Sequence, residues 1–379
     1  VLTNFARWIA SVIAVFIPIK KGTLLLLEYS YPSGSNTRIL GESLLPYFDV
    51  HTADGVAFLD PVRSFGELLP KIRLYLHTAQ FEVLVSTHGL KKIKKQQLMI
   101  ELWHGIPLKA MGSMETTDAD SAEKRFSMDY LITSSKLQSM QLDACLHIDF
   151  HRHRILGSPR NDWLYREPQD LIGRLHGRND FDKAVLYMPT FRTGYLGRTE
   201  GNVGQDLFNF GSLGEEAAFL QWLEEQNILL LVKLHPMEEK ALLEKVRRFR
   251  SDHILVLQSE LLVQHDIDLY ELLPETDMLI TDYSSIYFDY LLLDRPIVFA
   301  NADLETYRRT RGLLLEPYEH WTPGHKAQDY EGLREAIERS LTEDRFAEKR
   351  MEIRDLFHLH QDGRSSERIT EFIRQNRKE

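Results

Sequence analysis

The sequence predicts an α/β protein built as two Rossmann-like domains facing a cleft. Three observations point there: short runs that are almost wholly apolar, helical stretches that alternate with them, and the way each run stops abruptly at polar, reactive residues. Short continuous apolar runs between helical segments indicate parallel strands buried on both faces. In such sheets ligands bind beyond the carboxyl ends of the strands. Chemistry gathered at that edge is what an α/β ligand-binding enzyme should show.

In chain order, strands are predicted at 23–29, 81–86, 98–102, 128–133 and 154–156. A charged stretch with Pro and Gly, residues 166–183, reads as the domain boundary. A second unit follows with strands at 184–188, 228–234, 253–257, 278–280 and 296–299, and helices at 213–226, 238–250, 270–273 and 284–293. The last stretch, 333–378, is helical and highly charged. The expected division is an apolar membrane-associating segment at 1–22, an N-terminal domain at 23–168, a C-terminal domain at 183–345, and a terminal helical segment at 346–379. The return of that segment to the first domain is expected from what is usual in two-Rossmann architectures and not from its periodicity.

The strand endings carry the chemistry. The run Met278–Ile280 stops at Thr281-Asp282-Tyr283-Ser284-Ser285, and apolar residues at helical spacing resume with Ile286. A helix start presents free N–H groups and a positive dipole end, so phosphate binds there readily. Ser284 and Ser285 would add hydroxyl donors, with Asp282 or Ser284 as N-cap. This turn reads as a phosphate cradle; the plainer alternative is a junction whose Asp and Ser only cap a helix. Other runs end in Trp103-His104-Gly105, Thr133-Ser134-Ser135, Gly157-Ser158-Pro159-Arg160-Asn161-Asp162, Pro189-Thr190-Phe191-Arg192 and His235-Pro236.

The chain has 379 residues, enough for two cores, with 43% apolar and 27% charged residues, as in globular proteins. A net charge of −10 argues against general nucleic-acid binding. Residues 8–19 are nearly all apolar and are flanked by Arg7, Lys20 and Lys21. That run is too short to span a bilayer, which takes about 20 residues. It reads as an interfacial helix, with a packed hydrophobic helix as the alternative; a signal-peptide h-region fits less well, since no small-residue cleavage site precedes the first strand. Lys91, Lys92, Lys94 and Lys95 form either a solvated loop or a contact for anionic lipid. The single cysteine, Cys145, excludes an intrachain disulfide, and the Cys145, His147, His151, His153 run matches zinc spacings poorly. The D-x-D pairs 118/120, 180/182 and 266/268 lie away from the strand endings and read as loop carboxylates. No metal or cofactor is expected.

Taken together, the motifs resemble the CDP-glycerol:poly(glycerophosphate) glycerophosphotransferase family, the teichoic-acid primases and polymerases of the TagB/TagF type. The resemblance rests on Trp103–Lys109, Gly157–Asp162, Tyr187–Arg192, Lys233–Pro236 and Thr281–Ser285. It continues through Tyr307 with Arg311-Gly312, Pro323-Gly324, and Phe357 followed by Asp362–Ser366. It implies a GT-B-type fold, an acceptor domain followed by a CDP-glycerol-binding domain, and transfer of glycerol phosphate with release of CMP. The implied acceptor is an undecaprenyl-diphosphate-linked saccharide, and the implied place is the cytoplasmic face of the cell membrane as a peripheral protein. The chain's size is closer to the primases. His104 is the expected base, and histidine suits that role near pH 7; a hydrogen-bonded core histidine is the alternative. His235 is expected at the donor diphosphate, as second catalytic histidine. Arg160, Asn161, Thr190, Arg192, Thr281, Asp282, Ser284, Ser285 and Arg311 are the expected substrate-binding residues, although either Arg192 or Arg311 could equally be an ion-pair partner. Competing readings are a polyglycerol-phosphate polymerase, a CDP-ribitol-using transferase, a sugar-nucleotide glycosyltransferase or epimerase of the same architecture, and a silent membrane scaffold.

Overall fold

The computed structural model describes residues 2–115, 127–192, 207–211, 214–234, 238–239, 243–244 and 251–377. Their chain folds into two units. The first comprises described residues of 1–104, 122–165 and 358–379; the second comprises those of 105–121 and 166–357.

The first unit holds a six-stranded parallel sheet in the order β2-β1-β3-β4-β5-β6. Its strands are β1 (Lys20–Glu28), β2 (Asp49–Asp54), β3 (Phe81–Ser86), β4 (Leu98–Glu101), β5 (Tyr130–Thr133) and β6 (His153–Ile155). Both faces of β3 and β4 are buried throughout, which is why these strands read as unbroken apolar runs. β2 was not expected. Its sequence DVHTAD is mostly exposed at the sheet edge, so no core imposed an apolar pattern on it.

One face of this sheet is covered by helix Asn36–Leu44 and by the terminal helix Ser365–Gln375, whose Ile369 and Ile373 are fully buried in the core with Leu26, Val83 and Ile100. Burying each of those isoleucines is worth about 1.5–3 kcal/mol. Asp162 fixes the start of the terminal helix by accepting the N–H groups of Ser365 (2.8 Å) and Ser366 (2.7 Å), two donors that a helix start leaves unpaired. Gly157, at φ +93°, lets the chain pass so near that a Cβ there would strike the Ser365 side chain. The expected terminal segment is therefore divided. Helix Ala347–Phe357 stays with the second unit, where Phe357 packs on Phe288 at 4.5 Å between ring centroids.

The second unit repeats the architecture with the order β12-β11-β10-β7-β8-β9, all parallel. These are β7 (Lys183–Tyr187), β8 (Ile228–Val232), β9 (Ile254–Val256), β10 (Met278–Thr281), β11 (Ile297–Ala300) and β12 (His325–Ala327). Val185, Leu230, Ile280 and Val298 pack against Phe219 and Leu223 of helix Glu215–Glu225 and against Tyr330 and Ile337 of helix Tyr330–Thr342. β12 is a three-residue edge strand and was also unforeseen. Most of the helix expected at 238–250 lies outside the described residues.

Residues 2–14 form a helix whose Ala6, Ala10 and Ala14 are fully buried, while Trp8 (61%) and Phe16 just beyond it (85%) are exposed. No described helix is long and apolar enough to cross a membrane. Of the clustered lysines, Lys92 pairs with Asp129 at 2.6 Å, and Lys94 donates to the Ile17 carbonyl. Cys145 is buried, and His153 bonds the Ile148 carbonyl through Nε2 at 3.2 Å. Of the D-x-D carboxylates, Asp180 pairs with Arg178 and Asp268 caps helix Leu269–Leu272, while Asp118 and Asp120 lie outside the described residues.

Candidate active site

In the first unit the carboxyl ends of β1, β3 and β4 lie side by side, and each continues into an aromatic residue: Tyr29, His88 and His104 respectively. Neighbouring strands run about 4.8 Å apart, which is the spacing that lets rings at matching positions stack. Tyr29 and His88 stack at 4.5 Å, and His88 and His104 at 4.2 Å with 13° between planes. Trp103 closes the far face of His104 at 4.3 Å.

The turn that presents His104 is strained. Trp103 has φ +56°, uncommon for any residue with a Cβ, and Gly105 follows at φ +153°, open only to glycine. Hydrogen bonds hold it: Asn36 Nδ2 donates to the Trp103 carbonyl (3.1 Å), and the Trp103 N–H reaches Glu101 Oε1 (3.3 Å). The same Asn36 accepts through Oδ1 from Ser158 Oγ (2.9 Å) and the Arg160 N–H (3.0 Å). Asn36 thereby joins the loop carrying His104 to the loop carrying Arg160 and Asn161, both of which are buried.

His104 Nδ1 lies 2.8 Å from the Thr87 carbonyl oxygen. A carbonyl can only accept, so Nδ1 carries the proton and the neutral ring has its basic lone pair on Nε2. Beneath it, Glu101 is fully buried; burial pushes its carboxyl up to about 7, against the downward pull of the Gly89 and Trp103 N–H groups. His88 is pushed down to about 2, by burial first and by His104 second.

In the second unit, the ends of β7 and β10 are tied together. Thr281 Oγ1 donates to the Met188 carbonyl (2.7 Å), and Asp282 Oδ1 accepts from both the N–H and the hydroxyl of Thr190 (2.8 Å each). Asp282 Oδ2 takes Arg192 at 2.6 Å, and Asp303 takes the other arm of the guanidinium at 2.9 Å. Tyr283 and Tyr307 stack at 3.9 Å, and the guanidinium lies over them. Burial works against the charge on Arg192, but Asp282 and Asp303 outweigh it and hold the group above its usual value. Its fork is thus committed to two carboxylates. Asp282 is a bracket between strand ends rather than an N-cap, for helix Ile286–Tyr290 begins after Ser285 without any side-chain cap.

Ser284 and Ser285 stand half-exposed just past β10. Arg311 Nη2 pairs with Glu115 at 3.0 Å, on a strand-like contact in which Leu314 N–H bonds the Leu108 carbonyl (2.9 Å). Lys233 is buried, bonding the Leu234 carbonyl and Ser259 Oγ (3.1 Å each) and the Glu239 carboxylate. It anchors the motif whose His235 lies outside the described residues.

Of the expected residues, His104, Arg160 and Asn161 lie in the first unit, and Thr190, Arg192, Thr281, Asp282, Ser284, Ser285 and Arg311 in the second. Hydrogen bonds join Thr190, Arg192 and Asp282, while Arg311 is tied to Glu115. Asn36, Thr87, His88, Glu101, Glu115 and Asp303 escaped the sequence reading. For His88 a signal existed: the buried run Phe81–Ser86 stops at Thr87-His88 in the same manner as the other strand endings.

Solved structures share this architecture. The wall teichoic acid polymerase TagF, in a variant soaked with CDPG, superimposes with a TM-score of 0.73 over 98% of this chain and 93% of that one, at 19% identity. A UDP-GlcNAc 2-epimerase from Methanocaldococcus jannaschii follows at 0.53 and 14% identity. Both likenesses define the class as a GT-B-like α/β fold. Residues 65–375 match the family model for CDP-glycerol:poly(glycerophosphate) glycerophosphotransferase, and the chain belongs to that family. Among its relatives, the teichoic acid ribitol-phosphate primase of Bacillus spizizenii is 29% identical over 74% of this chain and 70% of its own length. The teichoic acid glycerol-phosphate primase of Bacillus subtilis is also 29% identical, over 74% and 68%. The teichoic acid ribitol-phosphate polymerase TarL of Staphylococcus aureus is 26% identical over 93% of this chain, which spans 63% of the polymerase.

Proposed function

We propose that this protein transfers glycerol phosphate from CDP-glycerol to a hydroxyl of a membrane lipid-linked saccharide, releasing CMP, in teichoic acid synthesis, as a primase. The observation that carries the reading is the family match over residues 65–375, within which His104 has the tautomer a base requires. In the step, the acceptor oxygen forms a bond to the phosphorus bearing glycerol and its proton passes to His104 Nε2. The bond from that phosphorus to the bridging oxygen breaks, and CMP leaves with the electron pair. Phosphoryl transfers depend chiefly on positioning and on charge stabilisation.

The first unit serves as acceptor domain, with Arg160 and Asn161 beside the base. In the second, Ser284, Ser285 and Arg311 hold the donor phosphates together with His235, and the Thr190, Arg192, Thr281, Asp282 network sets their geometry from behind. The exposed apolar side of helix Leu2–Ala14 attaches the protein to the cytoplasmic face of the membrane; its fully buried alanine stripe leaves the large side chains Trp8, Val12 and Ile13 outward. A second reading, CDP-ribitol as donor, is favoured by the ribitol-phosphate names of the primase and polymerase relatives.

The test incubates the protein with a lipid-linked disaccharide and either CDP-glycerol or CDP-ribitol, follows CMP, and weighs the product by mass spectrometry. CMP release with CDP-glycerol and a single added unit is expected. His104→Ala should lower turnover by about two or more orders of magnitude with donor binding intact. Turnover of a UDP-sugar with both CDP-polyols inert would overturn the reading.

A further inference from the structure

His88 has no part in the step above, yet its ring packs directly on the ring of the base. It leaves the carboxyl end of β3, the strand between those that carry Tyr29 and His104. Its ring lies flat on His104 at 4.2 Å and is backed by Tyr29 at 4.5 Å. Nδ1 of His88 is held by the Thr87 hydroxyl at 2.8 Å, and the carbonyl of that same Thr87 holds Nδ1 of His104. One residue thus sets the rotation of both imidazoles.

We propose that His88 is a positioning residue for His104: clamped between Tyr29 and His104, it keeps the base in the plane where Nδ1–H meets the Thr87 carbonyl and Nε2 presents the lone pair. This inference rests on the reading of His104 as the base. Two physical arguments support it. An imidazole joined to the backbone by two single bonds swings freely unless its faces are packed, and a swing of a few tens of degrees breaks the Nδ1–H bond that selects the tautomer. Once His104 has taken a proton, its positive ring sits between two π faces, Trp103 at 4.3 Å and His88 at 4.2 Å, an arrangement that favours a cation provided His88 is uncharged. Burial keeps His88 in that neutral form. Of the other titratable groups at this stack, Tyr29 and Glu101 are each favoured in the protonated, neutral form, with burial as the first cause. The Thr87 bond orients the His88 ring, but what clamps His104 is the ring's face, so an aromatic ring of similar thickness should replace most of that function.

The experiment compares His88→Ala and His88→Phe with the parent by steady-state kinetics with CDP-glycerol and by ring 15N NMR of histidine-labelled protein, the His104 signals being assigned with His104→Gln. Thermal melts confirm that each variant is folded. His88→Ala should lower kcat about tenfold with KM for CDP-glycerol unchanged, and His88→Phe should restore kcat to within about threefold of the parent, a share of the effect expected for general-base catalysis. The His104 ring should show the Nδ1–H tautomer in the parent and in His88→Phe, and a tautomer mixture in His88→Ala. Unchanged kcat and an unchanged tautomer in His88→Ala would overturn the proposal, as would a His88→Phe variant as impaired as His88→Ala. Were His104→Ala to retain full turnover, the base reading would fall by itself, while the NMR comparison would still decide whether His88 sets the ring.

Discussion

Single side chains in this protein are worth what their burial and partners make them. Arg192 holds Asp282 and Asp303 with its fork and covers two tyrosine rings while itself 7% exposed. Arg192→Ala would leave two buried carboxylates facing one another, and unfolding in urea should show a loss of about 3–5 kcal/mol. Arg192→Lys should recover only part of this, because an ammonium cannot fork to both acids. Glu101 makes a pH prediction. Its folded value of about 7 is raised from the ordinary 4.5, so its contribution to stability is complete below 4.5 and is lost as pH rises through 7. His88, depressed to about 2, acts with the opposite sign, complete above 6.5 and lost as pH falls. Between pH 6.5 and 8 only the Glu101 loss changes of these two. The stability difference between Glu101→Gln and the parent should therefore shift in favour of the variant across that window. The full effect from pH 4.5 to 8 is on the order of 3 kcal/mol. A difference that stays flat in urea titrations would contradict the buried-acid account.

At the scale of elements, two packing choices can be broken separately. Gly157 admits the start of helix Ser365–Gln375, so Gly157→Ala adds a methyl where the Ser365 side chain sits and strains a φ of +93° as well. A cost of about 2–4 kcal/mol is expected, from overpacking and backbone strain together, read as a lowered midpoint in thermal melts. Helix Leu2–Ala14 divides its residues by size: small ones inward, with Trp8 and the following Phe16 outward. Trp8→Glu with Phe16→Glu should leave the melting temperature within a few degrees, since exposed positions carry little stability. Flotation with vesicles containing anionic lipid should drop severalfold. Unchanged flotation would remove the membrane role of this helix.

At the scale of the whole molecule, chain order and domain membership disagree. The first unit is closed by the last helix, whose Ile369 and Ile373 are fully buried among β-sheet residues far earlier in sequence. A fragment ending at Tyr165 keeps helix Asn36–Leu44 but leaves the rest of that face uncovered and lacks the partners of Asp162. It should show no cooperative thermal transition, whereas the full chain should. Cooperative melting of the short fragment would show that the terminal helix is dispensable to the first core.

What could be read from the sequence is what local pattern dictates. Strands buried on both faces must be apolar, so β1, β3, β4, β7, β8 and β10 announced themselves, and the polar residues at their ends marked the chemical edge that holds His104, Thr190 and Ser284. β2 stayed hidden because its side chains are mostly exposed, and β12 because it is three residues long and only one of them is buried, whereas the edge strands β6 and β9 were read from the sequence. The partner of a charge is set by the fold instead. Whether Arg192 faces a phosphate or a carboxylate depended on Asp282 and Asp303, 90 and 111 residues away. Likewise His88 and His104, in different strand endings, became one stack only because β3 and β4 pair in parallel register. Periodicity is a property of neighbours in the chain, while side-chain pairing is a property of neighbours in space, and only the folded sheet brings the second kind together.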